Sequence, residues 1–170
     1  MSKLLVLVRH GKAQSRDLGL VDFERELTGR GKRSLKAWLP KSGGLLAQEE
    51  ASTYQLWASP AARTMQTADL VAKEWGKCVK GFPKEPTPVD ALWEGDMQGL
   101  MKAFHDSPAD VVVVCGHNPY IEMLCSELTG SDITFATGGV AAVRVDGATC
   151  IPQARLLWFV QGPESRNWKR

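Results

Sequence analysis

The sequence predicts an α/β fold: a three-layer α/β/α sandwich around a mostly parallel sheet with an antiparallel edge. Two apolar runs, residues 4–8 and 111–115, have the composition of strands that are covered on both faces. Segments with helical spacing alternate with the strand-like segments, as in proteins built on a parallel sheet. Two adjacent β-like segments, residues 139–146 and 154–160, have no helix between them and predict the antiparallel edge.

Caps and breakers mark the elements of the first half of the chain. "LTGRGKRSLKAWL" predicts a helix that has Thr28 at its N-cap and that Pro40 ends. "YQLWAS" predicts the second strand. The following helix, "SPAARTMQTADLVAKEW", is expected to have Ser59 at its N-cap and Pro60 at its first position, which places Arg63 about one turn into the helix.

The second half of the chain continues the alternation. Residues 76–88 are rich in Lys, Gly and Pro and predict a surface connection that leads into a short extended piece at residues 89–92. "DMQGLMKAFHD" predicts a helix with Asp96 as its cap. The helix in "NPYIEMLCSELTG" is expected to begin at a cap formed by Asn118 and to end at Gly130.

Composition narrows the class of protein. The 170 residues, 44% apolar and 24% charged, suit one domain over residues 1–170, and a net charge of +2 is too small to predict nucleic-acid binding. Four cysteines without CxxC spacing are typical of a reduced, cytosolic protein: Cys78, Cys115, Cys125 and Cys150. The first apolar stretch is too short to span a membrane and lacks a signal-peptide cleavage region, so we expect a soluble cytoplasmic protein with no membrane partner.

Cationic and imidazole side chains follow the strand-like segments. Arg9 and His10 follow the first run, Arg63 follows the second strand, and His117 follows the run that begins at residue 111. Ligands of open α/β sheets bind outside the carboxyl ends of the strands, so we expect these groups on one edge of the sheet. Two arginines and two imidazoles predict a site for a doubly charged tetrahedral oxyanion such as phosphate.

Neighbouring residues extend this interpretation. Gly11 permits the backbone turn that lets adjacent side chains serve one ligand, and Asn118 begins a helix whose N–H groups favour an anion, so both are expected to bind phosphate. Taken alone, each arginine or histidine also has an ordinary structural explanation, and His105 is interpreted as structural or solvated. Imidazole and Cys115 could bind a metal in principle, but the arginines argue against it, and we expect neither metal nor cofactor.

Four motifs carry a resemblance to a known family: "VRHGKA", "ERELTGRG", "ASPAARTMQTADLV" and "VVVCGHNPYIEML". In order they resemble the histidine phosphatase superfamily, and their short spacing is similar to that of its small phosphohistidine phosphatase branch, the SixA-type proteins. The match extends from the first strand to about residue 142. The resemblance implies the phosphoglycerate-mutase-like form of the α/β sandwich.

The resemblance also implies roles for the side chains. His10 would be the nucleophile, becoming a phosphohistidine that water then cleaves. It must be neutral to attack, and we expect Arg9 and Arg63 to lower its pKa and a backbone carbonyl to hold its other ring nitrogen. Arg9, Arg63 and His117 would bind the phosphoryl oxygens without a metal.

Some motif residues have two explanations from the sequence. Thr28 matches a position that borders the site, but its capping role explains it equally well. Thr137, Gly138 and Gly139 follow the matching late loop, where a phosphate contact is an alternative to an ordinary structural role.

The general acid is the weakest part of the resemblance. Larger members carry an acid between the Arg63 helix and the second histidine, where this chain offers Glu94 and Asp96. Glu94 is the candidate acid, with a loop carboxylate as the alternative, because the small branch has no reliable acid here. A weak acid suits a P–N bond, since protonated phosphohistidine releases neutral imidazole.

The sequence therefore predicts a phosphohistidine phosphatase that acts on a histidine phosphotransfer domain of a signalling protein. The short segment between the two halves of the site leaves little room for a lid, which would admit a protein side chain, and Trp93 could contact a partner. The alternatives are a small-molecule phosphomonoesterase, a phosphoglycerate-mutase-like enzyme, and a phosphate- or phosphoprotein-binding module without turnover.

Overall fold

A six-stranded mixed sheet lies at the centre of the computed structural model, which describes residues 2–147 and 153–164 of the chain. The strands are β1 (Ser2–Arg9), β2 (Tyr54–Ala58), β3 (Thr87–Pro88), β4 (Val111–Gly116), β5 (Val140–Asp146) and β6 (Gln153–Val160). Their order across the sheet is β3-β2-β4-β1-β5-β6, with β1 to β4 parallel. Because β5 is antiparallel to both β1 and β6, the expected antiparallel edge is confirmed.

Five α-helices cover the two faces of the sheet in the described part of the chain. They are α1 (Gly29–Leu46), α2 (Ala62–Trp75), α3 (Asp90–Glu94), α4 (Met97–Asp106) and α5 (Tyr120–Thr129). Leu4, Val6 and Val8 of β1 belong to an apolar cluster with α1 and α2, whereas Leu5 and Leu7 belong to a second cluster with α3, α4 and α5. Successive strand residues point to opposite faces, so β1 is covered on both sides and the three-layer sandwich is confirmed.

Helix α1 continues beyond the proline that was expected to end it. Pro40 lies inside the helix, which runs on to Leu46, so that prediction is wrong. A proline removes one helical hydrogen bond, but packing against α2 compensates for the loss. A Cβ on Gly43 would lie 2.7 Å from Trp75 Cδ1, and Trp75 Nε1 donates a 3.0 Å hydrogen bond to the Leu39 carbonyl. This tertiary contact overrides the local stop signal.

Two expected helix caps are wrong. The N-cap of α2 is Ala61 rather than Ser59, which makes Arg63 the second residue of the helix instead of one turn into it. The N-cap of α5 is Pro119 rather than Asn118. The side chains of Ser59 and Asn118 instead make hydrogen bonds across the sheet edge, which removes them from any capping role.

Other local signals have mixed outcomes. The extended piece expected at residues 89–92 is displaced, because β3 ends at Pro88 and residues 90–94 form α3. Thr28 and Asp96 are confirmed as the N-caps of α1 and α4, with side chains that accept hydrogen bonds from Gly31 and Gly99 N–H groups. Gly130 ends α5 in a left-handed conformation, as expected.

The parallel strands bring the predicted site residues to one edge. β1 and β4 are paired so that Arg9 lies beside Gly116. The His10 N–H donates to the Gly116 carbonyl at 3.1 Å, and the Ser59 N–H donates to the Cys115 carbonyl at 3.0 Å. The residues that follow β1, β2 and β4 therefore meet at the carboxyl edge of the sheet.

Several wider expectations concern the chain as a whole. Among the residues that the structure describes, no helix is long and apolar enough to cross a membrane. Cys78, Cys115 and Cys125 are free thiols, and Cys150 lies outside the described residues. The single domain over residues 1–170 also extends outside them and stays a prediction.

Candidate active site

The imidazole of His10 lies at the end of β1, and only 9% of the residue is exposed. Its Nδ1 is 2.7 Å from the Gly11 carbonyl oxygen. A carbonyl oxygen can only accept, so Nδ1 carries the proton and, in the neutral ring, Nε2 keeps its lone pair. This is the tautomer that a nitrogen nucleophile needs.

The surroundings of His10 keep its ring neutral. Burial is the largest cause that lowers the pKa of His10, to about 3. The hydrogen bond to Gly11 acts in the opposite direction, and the charges of His117, Arg63 and Arg9 lower the pKa further. The sequence argument attributed the lowering to the two arginines, whereas burial contributes more.

His117 lies against the ring of His10, at a centroid distance of 5.4 Å. Its Nε2 is 2.8 Å from Ser59 Oγ, and its buried Nδ1 has no partner among the described residues. Burial, followed by the charge of Arg63, lowers the pKa of His117 to about 4. Both imidazoles are therefore neutral at neutral pH, each with one ring nitrogen held by a protein group.

Arg63 is buried and is bound by a carboxylate from the loop that follows β1. Its Nη1 donates to the Asp22 carbonyl at 2.7 Å, and its Nη2 lies 3.3 Å from Asp22 Oδ2. Arg25 Nε donates to the other oxygen, Oδ1, at 2.9 Å. Partial burial would raise the pKa of Asp22, but the Arg25 hydrogen bond and the charges of both arginines outweigh it and hold that pKa below its usual value. The Arg63 guanidinium, which was expected to bind phosphate, is thus paired with the Asp22 carboxylate.

Arg9 belongs to a polar cluster with Asn118 and Glu122. Arg9 Nη1 donates to the Phe135 carbonyl at 2.6 Å, and Asn118 Nδ2 donates to the same carbonyl at 3.2 Å and to Glu122 Oε1 at 2.7 Å. Arg9 Nε and Asn118 Oδ1 are buried without a described partner. The predicted roles of Arg9 and Asn118 in phosphate binding stay predictions, but the structure places both at the end of β1 and β4.

Two glycines, Gly11 and Gly138, pack closely against the backbone or side chains around His10. A Cβ on Gly11 would lie 2.5 Å from Leu35 Cδ1, and the Gly11 N–H donates to Thr67 Oγ1 at 3.1 Å, so this N–H already has a protein partner. The Gly138 N–H bonds to the carbonyls of both Arg9 and His10. Thr28 caps α1, which accounts for it without a ligand.

A cavity of about 260 Å³ opens next to His117. Its lining consists of Arg16, Asp22, Arg63, Leu92, Trp93, Gly95, His117, Asn118, Pro119 and Tyr120. His10, Arg9 and Gly11 are not part of this lining, and His10 adjoins it through the ring of His117. Glu94, the candidate acid, is exposed and is also outside the lining, although its neighbours Trp93 and Gly95 belong to it. Asp22 is the one carboxylate among the described lining residues.

The sequence did not predict that Asp22 and Arg25 belong to the site, or that Ser59 binds His117. The polar loop "RDLGLVDFERELTG" after the first strand was the signal for the first two, since such loops border the binding edge of the sheet. Ser59 was interpreted as a helix cap, and nothing local distinguishes a cap from a hydroxyl that binds a distant imidazole.

The chemistry available at this edge is that of anion binding and nucleophilic attack. The buried Arg63, the half-buried Arg9 and the neutral imidazoles suit a phosphoryl group, which would take the place of Asp22 at Arg63. In the part of the chain that the structure describes, no group of three or more His, Cys, Asp or Glu side chains is placed to hold a metal ion.

Sequence comparison identifies one family. A profile of the histidine phosphatase superfamily (branch 1) matches residues 5–100, a segment that contains Arg9, His10 and Arg63. No curated protein sequence matches the chain significantly.

Solved structures share the fold over nearly the whole chain. A protein from Nakamurella multipartitia that is assigned as phosphohistidine phosphatase SixA is 25% identical, with a TM-score of 0.71 over 95% of this chain and 97% of that one. The protein histidine phosphatase SixA in complex with tungstate is 20% identical, with a TM-score of 0.65 over 93% and 96%. A mutant phosphoserine phosphatase from Entamoeba histolytica, bound to phosphoserine, is 15% identical, with a TM-score of 0.58 over 92% and 96%.

Proposed function

Because the chain belongs to the histidine phosphatase superfamily (branch 1), we propose that it is a metal-independent phosphatase of the SixA type that dephosphorylates a histidine of a partner signalling protein. The observation that carries the proposal is the neutral imidazole of His10, with its proton on Nδ1 and a lone pair on Nε2. Such a nitrogen can attack phosphorus and form a covalent intermediate. The similarity to structures named SixA supports the choice of substrate class.

The reaction proceeds in two displacements. His10 Nε2 forms a bond to phosphorus while the bond to the substrate imidazole breaks, and the departing nitrogen takes that electron pair. Water then attacks phosphorus, the electron pair of the P–N bond returns to His10 Nε2, and the protons of water leave with phosphate or pass to solvent. The second displacement therefore regenerates the free, neutral imidazole of His10.

The charge of the phosphoryl group is balanced by fixed donors. Phosphate replaces Asp22 as the partner of Arg63, and His117 Nδ1, which has no partner among the described residues, donates to a second oxygen. Arg9 contributes from the end of β1. These groups supply the charge that Mg²⁺ supplies in other phosphoryl-transfer enzymes.

No protonated acid is found among the described residues that line the cavity or contact the His10 and His117 rings, which favours phosphohistidine over an ester. The charges around Asp22 hold its pKa below the usual value, so it is ionised at neutral pH and cannot protonate an alkoxide. Glu94 is exposed and outside the lining. A phosphorylated imidazole needs no such acid, because its distal nitrogen is protonated before it leaves.

The test compares substrates for one enzyme. We expect a phosphorylated histidine phosphotransfer domain to be hydrolysed with a kcat/KM at least about a hundredfold above that of a phosphoserine peptide or small phosphate ester. His10→Ala should abolish turnover, whereas the exposed His105→Ala should retain it and serves as the matched control.

The possible results separate the functions. Faster turnover of the esters would establish a small-molecule phosphomonoesterase instead, and full activity of His10→Ala would refute the proposed nucleophile. Binding of phosphate or vanadate without turnover of any substrate would identify a binding module.

The proposed location is the cytoplasm. Three described cysteines are free thiols, two of them buried, which suits a reducing compartment. Signalling proteins that carry phosphohistidine would meet the enzyme there.

A further inference from the structure

Exposed apolar side chains gather beside the cavity. Among the described residues, six large apolar side chains are exposed, and five of them form what we call the apolar patch: Leu18, Leu20, Val21, Phe23 and Trp93. Leu18 and Val21 are 62% and 63% exposed. Four of the five lie within residues 18–23, and the fifth, Trp93, contacts Phe23. Single exposed apolar residues are common on protein surfaces, whereas a group of neighbouring ones marks an interaction site.

The apolar patch is continuous with the cavity. Phe23 contacts Trp93 with a ring centroid distance of 5.1 Å, and Trp93 also lines the cavity and contacts the His117 ring. The loop between β1 and α1, which carries the other four patch residues, contributes Arg16 and Asp22 to the cavity lining. Leu18 is two residues from Arg16 and Val21 is next to Asp22 in the chain, so both lie close to the cavity lining.

The loop that carries Leu18 to Phe23 is held in place by a hydrogen bond from the buried Arg63 of α2 and by hydrogen bonds within the loop. Arg63 Nη1 binds the Asp22 carbonyl, and the buried Arg25 binds both the Asp22 carboxylate and, at 2.6 Å, the Gln14 carbonyl. Ala13 and Leu27 form a β-bridge where the loop begins and ends. A patch that is ordered before binding costs less conformational entropy when a partner covers it.

We propose that the apolar patch is the docking surface for the folded phosphoprotein substrate, an inference that rests on the proposed function. The partner presents its phosphorylated imidazole to the buried Arg63 in the cavity, which complements the charge of the phosphoryl group. Apolar side chains beside that imidazole cover Leu18 and Val21, and an acidic side chain faces Arg16, whose side chain is 80% exposed. A small phosphorylated compound would fill the cavity and leave Leu18 and Val21 uncovered.

The experiment compares a protein substrate with a small one. Leu18→Ser/Val21→Ser should lower kcat/KM about tenfold for a phosphorylated histidine phosphotransfer domain and leave kcat/KM for N-phosphoimidazole unchanged. Retained turnover of N-phosphoimidazole also shows that the variant is folded. Met123→Ser is the matched control, because Met123 is 52% exposed on α5 and lies outside the patch, and it should change neither value.

Three results would overturn the docking surface. The first is a double variant whose kcat/KM for the phosphorylated domain equals that of wild type, and the second is an equal loss of kcat/KM for both substrates. The third is a wild-type dimer that the double variant converts to monomer, which would assign the patch to a second copy of the chain. Failure of the proposed function gives a different result: wild-type protein would not prefer the phosphorylated domain over esters, and the docking proposal would fall with it.

Discussion

Ser59 holds the second imidazole of the site in one orientation. Its Oγ lies 2.8 Å from His117 Nε2, while His117 Nδ1 is buried and has no described partner. When the hydroxyl donates to Nε2, the ring proton resides on Nδ1, which can then donate to a phosphoryl oxygen. The serine therefore acts on the reaction through His117.

Replacement of this hydroxyl tests that role. Ser59→Ala should lower kcat about tenfold, because His117 loses the group that selects its tautomer, and Ser59→Thr should restore most of the activity. Nitrogen NMR of His117 should show a mixture of tautomers in the alanine variant. Ser42→Ala removes another buried hydroxyl, one that bonds to the Leu39 carbonyl, and should leave kcat unchanged. Equal kcat values for Ser59→Ala and wild type would exclude the positioning role.

The packing of α1 against α2 determines where α1 ends. Gly43 lies at the contact, where a Cβ would be 2.7 Å from Trp75 Cδ1 and 3.1 Å from Cys78 Sγ. Gly44 belongs to the same helical turn, but a Cβ there would have no neighbour within 4 Å. A substitution at Gly43 therefore tests the close packing against Trp75, whereas the same substitution at Gly44 tests helix propensity alone.

Alanine at these two positions should have opposite effects on stability. Gly43→Ala should lower the free energy of unfolding by about 1–3 kcal/mol, because the added methyl group overlaps the Trp75 ring. Gly44→Ala should raise it by about 0.5–1 kcal/mol, because alanine favours the helix and meets no obstacle. Urea unfolding at neutral pH measures both, and stabilisation by Gly43→Ala would contradict the observed helix contact.

At the scale of the whole molecule, the buried His10 and the half-buried His117 make stability depend on pH. The pKa of His10 is lowered to about 3 and that of His117 to about 4, mainly by burial. Below about pH 6.5 the two histidines are protonated in the unfolded chain but remain neutral in the folded protein. The free energy of unfolding therefore falls as the pH falls from about 6.5 towards these two pKa values. The loss at pH 5 is about 2 kcal/mol for each histidine.

This dependence can be measured by urea unfolding at pH 7 and pH 5. His10→Gln should reduce the loss of stability between the two values by about 2 kcal/mol, because one titrating group has been removed. His105→Gln, on the exposed face of α4, should keep the wild-type dependence. A loss in His10→Gln as large as that of wild type would show that the imidazole is not buried in the neutral form.

Local patterns predicted much of the fold. The apolar runs of β1 and β4 and the caps at Thr28 and Asp96 are confirmed, since each depends on residues only a few positions apart. The stop at Pro40 failed because packing against α2 outweighs one lost hydrogen bond. The cap at Ser59 failed because its hydroxyl has a partner on another strand end.

The sequence alone determined the α/β class and the position of Arg9, His10 and His117 at strand ends and of Arg63 near the start of the next helix, because periodicity and strand termini are local properties. Tertiary structure alone decided that Asp22 binds Arg63, 41 residues away, and that Ser59 binds His117, 58 residues away. It also made burial the main cause of the neutral His10 ring. Hydrogen-bond partners and burial at such separations depend on how the layers pack, which no local pattern records.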